Sequence, residues 1–174
     1  MVDYRRVRVA GGTYFFTLAL HDRRADTLVS HIDALKAAVR ETRTLRPFRI
    51  DAMVVLPDHL HAVWTLPAED ADYSARWRAI KALFVRNLRA AGTPLTPNTK
   101  GEYKVWQRRF WEHLIRDEND LQRHVDYVHI NPVKHGLVTQ AREWPWSSFH
   151  RFVREGVLTA DWASAPETTG SFGE

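Results

Sequence analysis

The chain has 174 residues, of which 44% are hydrophobic and 26% charged, a composition typical of one globular domain, and no apolar run approaches the ~18 to 20 residues needed to cross a bilayer. It contains no cysteine, which excludes disulfides, thiolate metal sites and cysteine nucleophiles, so any bound metal must rest on nitrogen and oxygen ligands. The formal net charge of +4 suggests a polyanionic partner such as nucleic acid, although many basic proteins only carry solvated arginines.

The first half of the chain predicts a strand, a helix and two further strands. Its opening residues lack the apolar segment of a secretory signal, so we expect a cytoplasmic protein without a membrane partner. Residues 11–20 are aromatic and β-branched and predict the first strand. Apolar residues recur at helical spacing over 26–43, which predicts a helix. Residues 48–56 and 59–66 predict two strands that a Pro-Asp turn separates.

The middle of the chain predicts a second long helix and a fourth strand. An acidic loop after Pro67 leads into an amphipathic helix that is expected to end near Gly92. Residues 93–104 contain two prolines, a glycine and several small polar side chains, and they predict an exposed loop. Residues 105–115 are rich in aromatic and apolar side chains and predict the fourth strand.

The C-terminal part completes the predicted fold. A helix over 121–131 is expected to end at Pro132, because the residue before a proline avoids the α conformation, and a short helix is expected over 146–154. The resulting order of strands and helices predicts an α+β, ferredoxin-like fold, in which a four-stranded antiparallel sheet carries helices on one face and extra C-terminal helices. We expect one domain over 1–162 and a disordered tail over 163–174.

Two histidines, His59 and His61, lie in the third predicted strand and are separated by Leu60. Residues two apart project from the same face of a strand, so both imidazoles can reach one metal ion while Leu60 points into the core. That arrangement suits a divalent cation. The alternative is that both histidines only occupy the polar face of a strand, since a His-x-His motif is short.

A tyrosine and an asparagine share one side of the helix predicted over 121–131. Tyr127 and Asn131 are four residues apart, so both side chains can face one point beside the helix. The alternative is a tyrosine at the rim of the core with a solvated hydroxyl, followed by an asparagine that caps the end of the helix. The spacing leaves both interpretations open.

Cationic and aromatic side chains occur together around the fourth predicted strand. Arg108 and Arg109 lie beside Trp106 and Phe110, and Lys100 lies in the loop before them. Such combinations suit single-stranded or hairpin DNA. In a regular strand the two arginines would point to opposite faces, so at most one would contact DNA there. The alternative is that the aromatic side chains only pack in the core or at the edge of the sheet.

Six motifs together resemble the REP-associated tyrosine transposases, which belong to the HUH single-tyrosine transposases. In chain order they are GGTYFFT, VVLPDHLHAVW, KGE, VWQRRFWEHLIRDE, DYVHINPVKHGLV and WPWSSFH. The resemblance covers about residues 9–162. It implies a nucleoid-associated enzyme that acts on single-stranded or hairpin DNA of repetitive extragenic palindromic (REP) elements.

The resemblance also implies roles for individual residues. His59 and His61 match the metal motif, and Tyr127 matches the nucleophilic tyrosine. Asn131 lies where related enzymes place a third, amide-bearing metal ligand, often a glutamine. Apart from the resemblance, Lys134 and His135 follow the predicted tyrosine helix, where their side chains can approach a phosphate near the site.

The activity that follows is a strand transfer dependent on Mg²⁺ or Mn²⁺. The tyrosine would cleave a REP hairpin, leaving a 5′-phosphotyrosine link and a free 3′-OH. One alternative is a DNA-binding protein that keeps the fold and basic surface without essential cleavage; another is a metal-dependent hydrolase of RNA or small phosphoesters. We expect a monomer, because the short link before the tyrosine helix leaves little slack for exchange between subunits.

Overall fold

The computed structural model describes residues 6–163, and its four strands form one antiparallel sheet. The sheet order is β2-β3-β1-β4. The strands are β1 Thr13–Ala19, β2 Arg49–Val55, β3 His59–Thr65 and β4 Trp111–Leu114. The fold is therefore α+β with a four-stranded antiparallel sheet, as the sequence predicts.

Within residues 6–163, five α-helices and one short 3-10 helix connect and cover the strands. They are α1 Thr27–Ser30, α2 Ile32–Leu45, α3 Tyr73–Ala90, α4 Glu118–Lys134, the 3-10 helix Ala141–Glu143, and α5 Phe149–Arg154. The helix predicted over 26–43 is divided at His31, whose φ of −121° and ψ of 39° interrupt the helical backbone. Within the described part of the chain, no helix is long and apolar enough to span a membrane.

The sheet has a hydrophobic core on each of its two faces. Strand β1 explains both cores, because alternate side chains of a strand point to opposite faces. Tyr14 and Phe16 are fully buried in the core beneath α2 and α3. Phe15 is buried on the opposite face against Tyr127 and Val128 of α4. Helices α2 and α3 therefore share one face, as expected, and the C-terminal helix α4 covers the other face, which local periodicity does not reveal.

Helix α4 continues past the point at which the sequence predicts its end. It contains Pro132 and extends to Lys134. A proline inside a helix removes one backbone hydrogen bond, but the turn that follows it is hydrogen-bonded here, since the His135 amide donates to the Asn131 carbonyl at 3.0 Å. Gly136, with φ of 67°, then ends the helix in a conformation that glycine adopts readily. The preference of the residue before proline is overridden by the packing of α4 on the sheet.

Strand β4 is shorter than the predicted strand over 105–115. Only Trp111–Leu114 pair with β1. The residues before it follow the end of β1 irregularly: Trp106 forms an isolated bridge with Leu20, and the Gln107 amide donates to the Ala19 carbonyl at 2.9 Å. Phe110 then packs on the core beneath α3. Arg108 and Arg109 therefore lie in this irregular segment rather than on opposite faces of a strand.

The C-terminal part of the described chain covers the free edge of β2. The Val55 amide donates to the Trp146 carbonyl, and the Ser148 amide donates to the Met53 carbonyl, each at 2.8 Å. This pairing protects an edge that would otherwise expose unpaired backbone groups. The short helix predicted over 146–154 is present as α5. The tail predicted over 163–174 lies, apart from Ala163, outside the residues that the structure describes.

Candidate active site

The two histidines of β3 form a buried pair on the face of the sheet that α4 covers. His59 is 2% exposed and His61 fully buried, and their ring centroids lie 5.1 Å apart. Leu60, between them, packs in the core on the opposite face. The alternation expected from the sequence is present, and it directs both imidazoles toward the tyrosine helix.

Neighbouring side chains fix the orientation of each imidazole through its Nδ1 atom. Thr17, which lies opposite His61 in the β1–β3 register, is 2.9 Å from His61 Nδ1 through its Oγ1. His59 Nδ1 lies 2.8 Å from Asp58 Oδ1, and Asp58 also forms an ion pair with Arg23. Such partners hold a metal-binding histidine in one tautomer, with Nε2 as the ligating atom.

His59 has the properties of a ligand rather than of a surface cation. Burial lowers the pKa of His59, and the hydrogen bond that its Nδ1 donates to the Asp58 carboxylate offsets this effect only in part. The neutral ring that results is the form that binds metals. His59 Nε2 is buried and has no hydrogen-bond partner among the residues described.

Helix α4 brings Tyr127 and Asn131 to the same place. Tyr127 is 2% exposed, and its ring lies 5.2 Å from that of His61 and 5.9 Å from that of Phe15. Asn131, one turn later, is fully buried. Neither polar atom of its side chain has a hydrogen-bond partner within residues 6–163. An unsatisfied amide in a protein interior is costly, so it indicates a group that a ligand completes.

Lys134 and His135, which follow Asn131 in the chain, border the side of this cluster that faces solvent. Lys134 and His135 are both exposed. The Lys134 ammonium donates to the Tyr127 hydroxyl at 3.4 Å, and the His135 ring lies 4.9 Å from that of His59. The structure thus brings together all six of the predicted residues that the sequence places on β3 and on or just after α4.

The donors of this cluster fit a divalent cation. Two imidazole nitrogens and one amide oxygen, from His59, His61 and Asn131, are ligands that first-row metals and magnesium accept. The buried, unsatisfied atoms of His59 and Asn131 are what such a site requires. A set of only three protein ligands leaves coordination positions for water or substrate.

A second group of side chains could also hold a metal ion. The potential ligand atoms of His113, Asp120 and His124 lie within 4.8 Å of one another. The Asp120 carboxylate already accepts hydrogen bonds from His113 at 2.8 Å and from Arg116 at 3.1 Å. His124 Nδ1 lies 2.7 Å from the Asp120 carbonyl. These contacts join β4 to the first turns of α4, and the arginine supplies the positive charge that a metal would bring.

The three remaining predicted residues lie apart from the cluster. Lys100, Arg108 and Arg109 are exposed in the segment between α3 and β4. None forms a hydrogen bond or ion pair with Tyr127, His59 or His61 in the described structure. The segment containing Arg108 and Arg109 runs beside Ala19, which pairs with His59, so it reaches the same end of the sheet as the histidines.

The sequence did not single out three of the supporting residues: Thr17, Asp58 and Arg23. Thr17 supports His61 through a strand pairing of residues 44 positions apart, which no local pattern reveals. Asp58 precedes His59 directly, so its position is a usable signal, although a Pro-Asp pair by itself predicts only a turn.

Comparisons with known proteins agree with this geometry. No protein-family model matches the chain. A REP-associated tyrosine transposase of Escherichia coli (strain K12) is 46% identical over 163 residues, covering 94% of this chain and 92% of the relative. A relative from Haemophilus influenzae with the same family name is 42% identical, covering 96% of both chains.

A solved structure extends the likeness from sequence to fold. The structure of a REP-associated tyrosine transposase bound to a REP hairpin superimposes with a TM-score of 0.86 at 46% identity, covering 100% of this chain and 98% of the other. Identity of this size over nearly the whole length, together with the tyrosine and histidines meeting on one face of the sheet, assigns the family. The chain belongs to the REP-associated tyrosine transposases.

Proposed function

We propose that the protein cleaves and rejoins one strand of REP hairpin DNA with Tyr127 as the nucleophile. The observation that carries the proposal is the position of Tyr127, whose ring lies 5.2 Å from the ring of His61. The relative whose structure contains a REP hairpin supports this choice of substrate. A chromosomal substrate of this kind agrees with an enzyme that works at the nucleoid.

In the cleavage step, Tyr127 Oη attacks the scissile phosphorus. The Oη–P bond forms, the P–O3′ bond breaks, the phenol proton passes to solvent, and the 3′ oxygen takes up a proton. The products are a 5′-phosphotyrosine and a free 3′-OH. One phosphodiester is exchanged for another, so the reverse attack by a 3′-OH rejoins DNA without an external energy source.

We assign the metal to His59, His61 and Asn131, and propose Mg²⁺ or Mn²⁺ as the ion. When bound, the cation would polarise the phosphate and neutralise the charge on the departing oxygen. Asp58 and Thr17 keep the two imidazoles in a ligating orientation. Burial of Tyr127 keeps water away from the nucleophile, so transfer competes better with hydrolysis.

We further propose that Lys100, Arg108 and Arg109 contact the DNA backbone. Their exposure and positive charge support this role. The arginines lie at the end of the sheet that carries His59, so a strand entering the site can pass over them. The exposed ring of His135 lies 4.9 Å from that of His59, which supports a contact with a phosphate at the site itself.

We propose that the enzyme acts as a monomer with one catalytic domain over 1–162. Helix α4 packs through Val125 and Val128 on the sheet of its own chain, so one subunit supplies both the tyrosine and the histidines. A single molecular mass from light scattering, independent of concentration, is the expected result; a stable dimer without DNA would contradict it.

A labelled hairpin tests the reaction. We expect that incubation with Mn²⁺ or Mg²⁺ transfers a 3′-end label of a single-stranded REP hairpin to the protein on a denaturing gel, while a 5′-end label leaves as a short fragment. Tyr127→Phe should abolish the adduct and keep hairpin binding nearly unchanged. Tyr103→Phe, on the exposed loop before β4, is the matched control and should keep full activity.

The same experiment separates the alternatives. A tight complex without adduct, in either metal, would favour a DNA-binding protein without essential cleavage. Cleavage without any adduct would favour a hydrolase that activates water. An adduct in Tyr127→Phe would reject Tyr127 as the nucleophile.

A further inference from the structure

The uninterrupted course of α4 through Pro132 places a lysine over the tyrosine. Tyr127, Asn131 and Lys134 are at positions i, i+4 and i+7 of one helix. Seven residues at about 100° each return to within about 20° of the starting direction. All three side chains therefore lie on one stripe that faces the histidines. A helix that ended at Asn131 would have left the direction of Lys134 undefined.

The contact between Lys134 and Tyr127 involves the reacting atom. Lys134 Nζ is 3.4 Å from the Tyr127 hydroxyl oxygen, to which it donates, and 4.9 Å from the centroid of the phenol ring. The phenol is buried whereas Lys134 is exposed. The ammonium therefore marks the open end of the site, where the hydroxyl must meet a phosphate.

An ammonium group at this position can do one kind of chemistry and not another. It has three N–H donors and no acceptor, so it cannot take the phenol proton as a base. It can direct the hydroxyl through a hydrogen bond and stabilise negative charge on its oxygen. A phenol with an ordinary pKa of ~10 is a poor nucleophile near neutral pH and gains most from that stabilisation.

We propose that Lys134 is a catalytic residue that orients the Tyr127 hydroxyl and stabilises its oxyanion, and that it does so in both directions of the reaction. The inference rests on the function proposed above and deepens it. During cleavage the phenol oxygen carries negative charge as it attacks phosphorus, after its proton has left to solvent. During rejoining a 3′-OH attacks the phosphotyrosine, and the same oxygen leaves with the electron pair beside the same ammonium.

This role differs measurably from a contact with the DNA backbone. A backbone contact changes the affinity for the hairpin. A group that stabilises the same oxygen in the shared transition state changes the two rate constants equally and leaves the ratio of cleaved to intact DNA unchanged at equilibrium. The test therefore needs both rates and the dissociation constant.

The experiment compares Lys134→Met and Lys134→Arg with the unchanged chain in single-turnover reactions on a REP hairpin with Mn²⁺. For Lys134→Met we expect cleavage and rejoining of the bound complex to slow by the same factor, roughly ten- to hundredfold. Lys134→Arg keeps the charge and should restore most of the rate. Hairpin affinity, measured without divalent metal so that Tyr127 is retained and no strand is cleaved, should change by no more than about twofold, because Lys134 donates to the phenol rather than to the DNA backbone.

Lys36→Met is the matched control. Lys36 is an exposed lysine on α2 whose ammonium lies 4.4 Å from the Trp146 ring, on the face of the sheet away from Tyr127. It should leave both rates unchanged.

Three results would overturn the inference. They are normal rates in Lys134→Met, a loss of hairpin affinity with an unchanged rate in the bound complex, and an arginine variant as slow as the methionine variant. Failure of the proposed function is distinguishable, because in that case the unchanged chain forms no adduct that depends on Tyr127.

Discussion

Asn131 shows how the meaning of one residue depends on its surroundings. At the exposed end of a helix an asparagine is a common cap. Here it is fully buried, inside a helix that continues for three more residues, with an amide that no described residue satisfies. The cap interpretation left open by the sequence does not apply, and the burial favours the role of a ligand.

Because Asn131 is buried, its replacement should affect the stability of the metal-free protein and the binding of metal in opposite directions. We expect Asn131→Leu to leave the metal-free protein as stable or to stabilise it by about 1 to 3 kcal/mol, because it removes a buried polar group without a partner. The same change should abolish the stabilisation that Mn²⁺ gives to the unchanged chain. Urea unfolding with and without Mn²⁺ measures both effects.

His113→Gln supplies the comparison for that experiment. The His113→Gln variant should still be stabilised by Mn²⁺, because we interpret His113, Asp120 and His124 as a hydrogen-bond network and not as a metal site. If Asn131→Leu keeps the effect of Mn²⁺ and His113→Gln loses it, the metal lies between β4 and α4 instead.

Helix α4 carries both Tyr127 and Asn131. Asp120 connects the first turn of this helix to strand β4. The carboxylate is 2% exposed and accepts hydrogen bonds from His113 of β4 and from Arg116. Burial by itself would raise the pKa of Asp120, but these hydrogen bonds outweigh it and hold the pKa well below its usual range. A negative side chain in the first turn also complements the helix dipole.

The lowered pKa of Asp120 predicts a loss of stability in acid. The unfolded chain binds this proton more readily than the folded chain, so the contribution is complete above the ordinary aspartate pKa of ~3.9 and is lost as pH falls below it. We expect Asp120→Asn to lower the free energy of unfolding near pH 7 by roughly 1 to 3 kcal/mol. Its further loss between pH 5 and pH 3 should be smaller than that of the unchanged chain.

Asp126 on the same helix provides a control of opposite sign. Burial raises the pKa of Asp126, and its hydrogen bond from Gln122 offsets this effect only in part. Replacing it by asparagine should therefore not lower stability at pH 7. Urea titrations of both variants at several pH values give the comparison; equal losses at pH 7 would contradict the role assigned to Asp120.

At the scale of the whole molecule, the position of the cationic side chains matters more for DNA binding than the value of the net charge. Arg108 and Arg109 lie in an irregular segment beside β1, so both are exposed and both can contact DNA. The sequence predicts that at most one of the two arginines contacts DNA, because in a regular strand their side chains would point to opposite faces. Phe110, directly before β4, packs on the core beneath α3, and the two arginines that precede it are exposed.

Salt dependence of hairpin binding tests the proposed contact of Arg108 and Arg109 with DNA. Each phosphate contact that is lost should reduce the slope of log affinity against log salt concentration by about one. We expect the double variant Arg108→Ala/Arg109→Ala to lower that slope by about one to two. Arg40→Ala, on α2 at the opposite face of the sheet, should leave it unchanged; equal slopes for all three proteins would place the DNA path elsewhere.

The sequence by itself determined the features that depend on residues close along the chain. Alternation in 59–61 put both histidines on one face, and the four-residue spacing of Tyr127 and Asn131 put both on one side of a helix. The number of strands and their order along the chain followed from local composition in the same way. Such patterns arise from the periods of the strand and the helix, which are properties of the backbone itself.

Only the tertiary structure decided the features that depend on contacts between distant segments. These are the face that α4 covers, the support of His61 by Thr17, the irregular course of 105–110, and the continuation of α4 to Lys134. The first two depend on which distant segments meet. The last two result from packing that outweighs a local preference, because the free energy gained by burying apolar side chains is larger than the cost of one unfavourable backbone conformation.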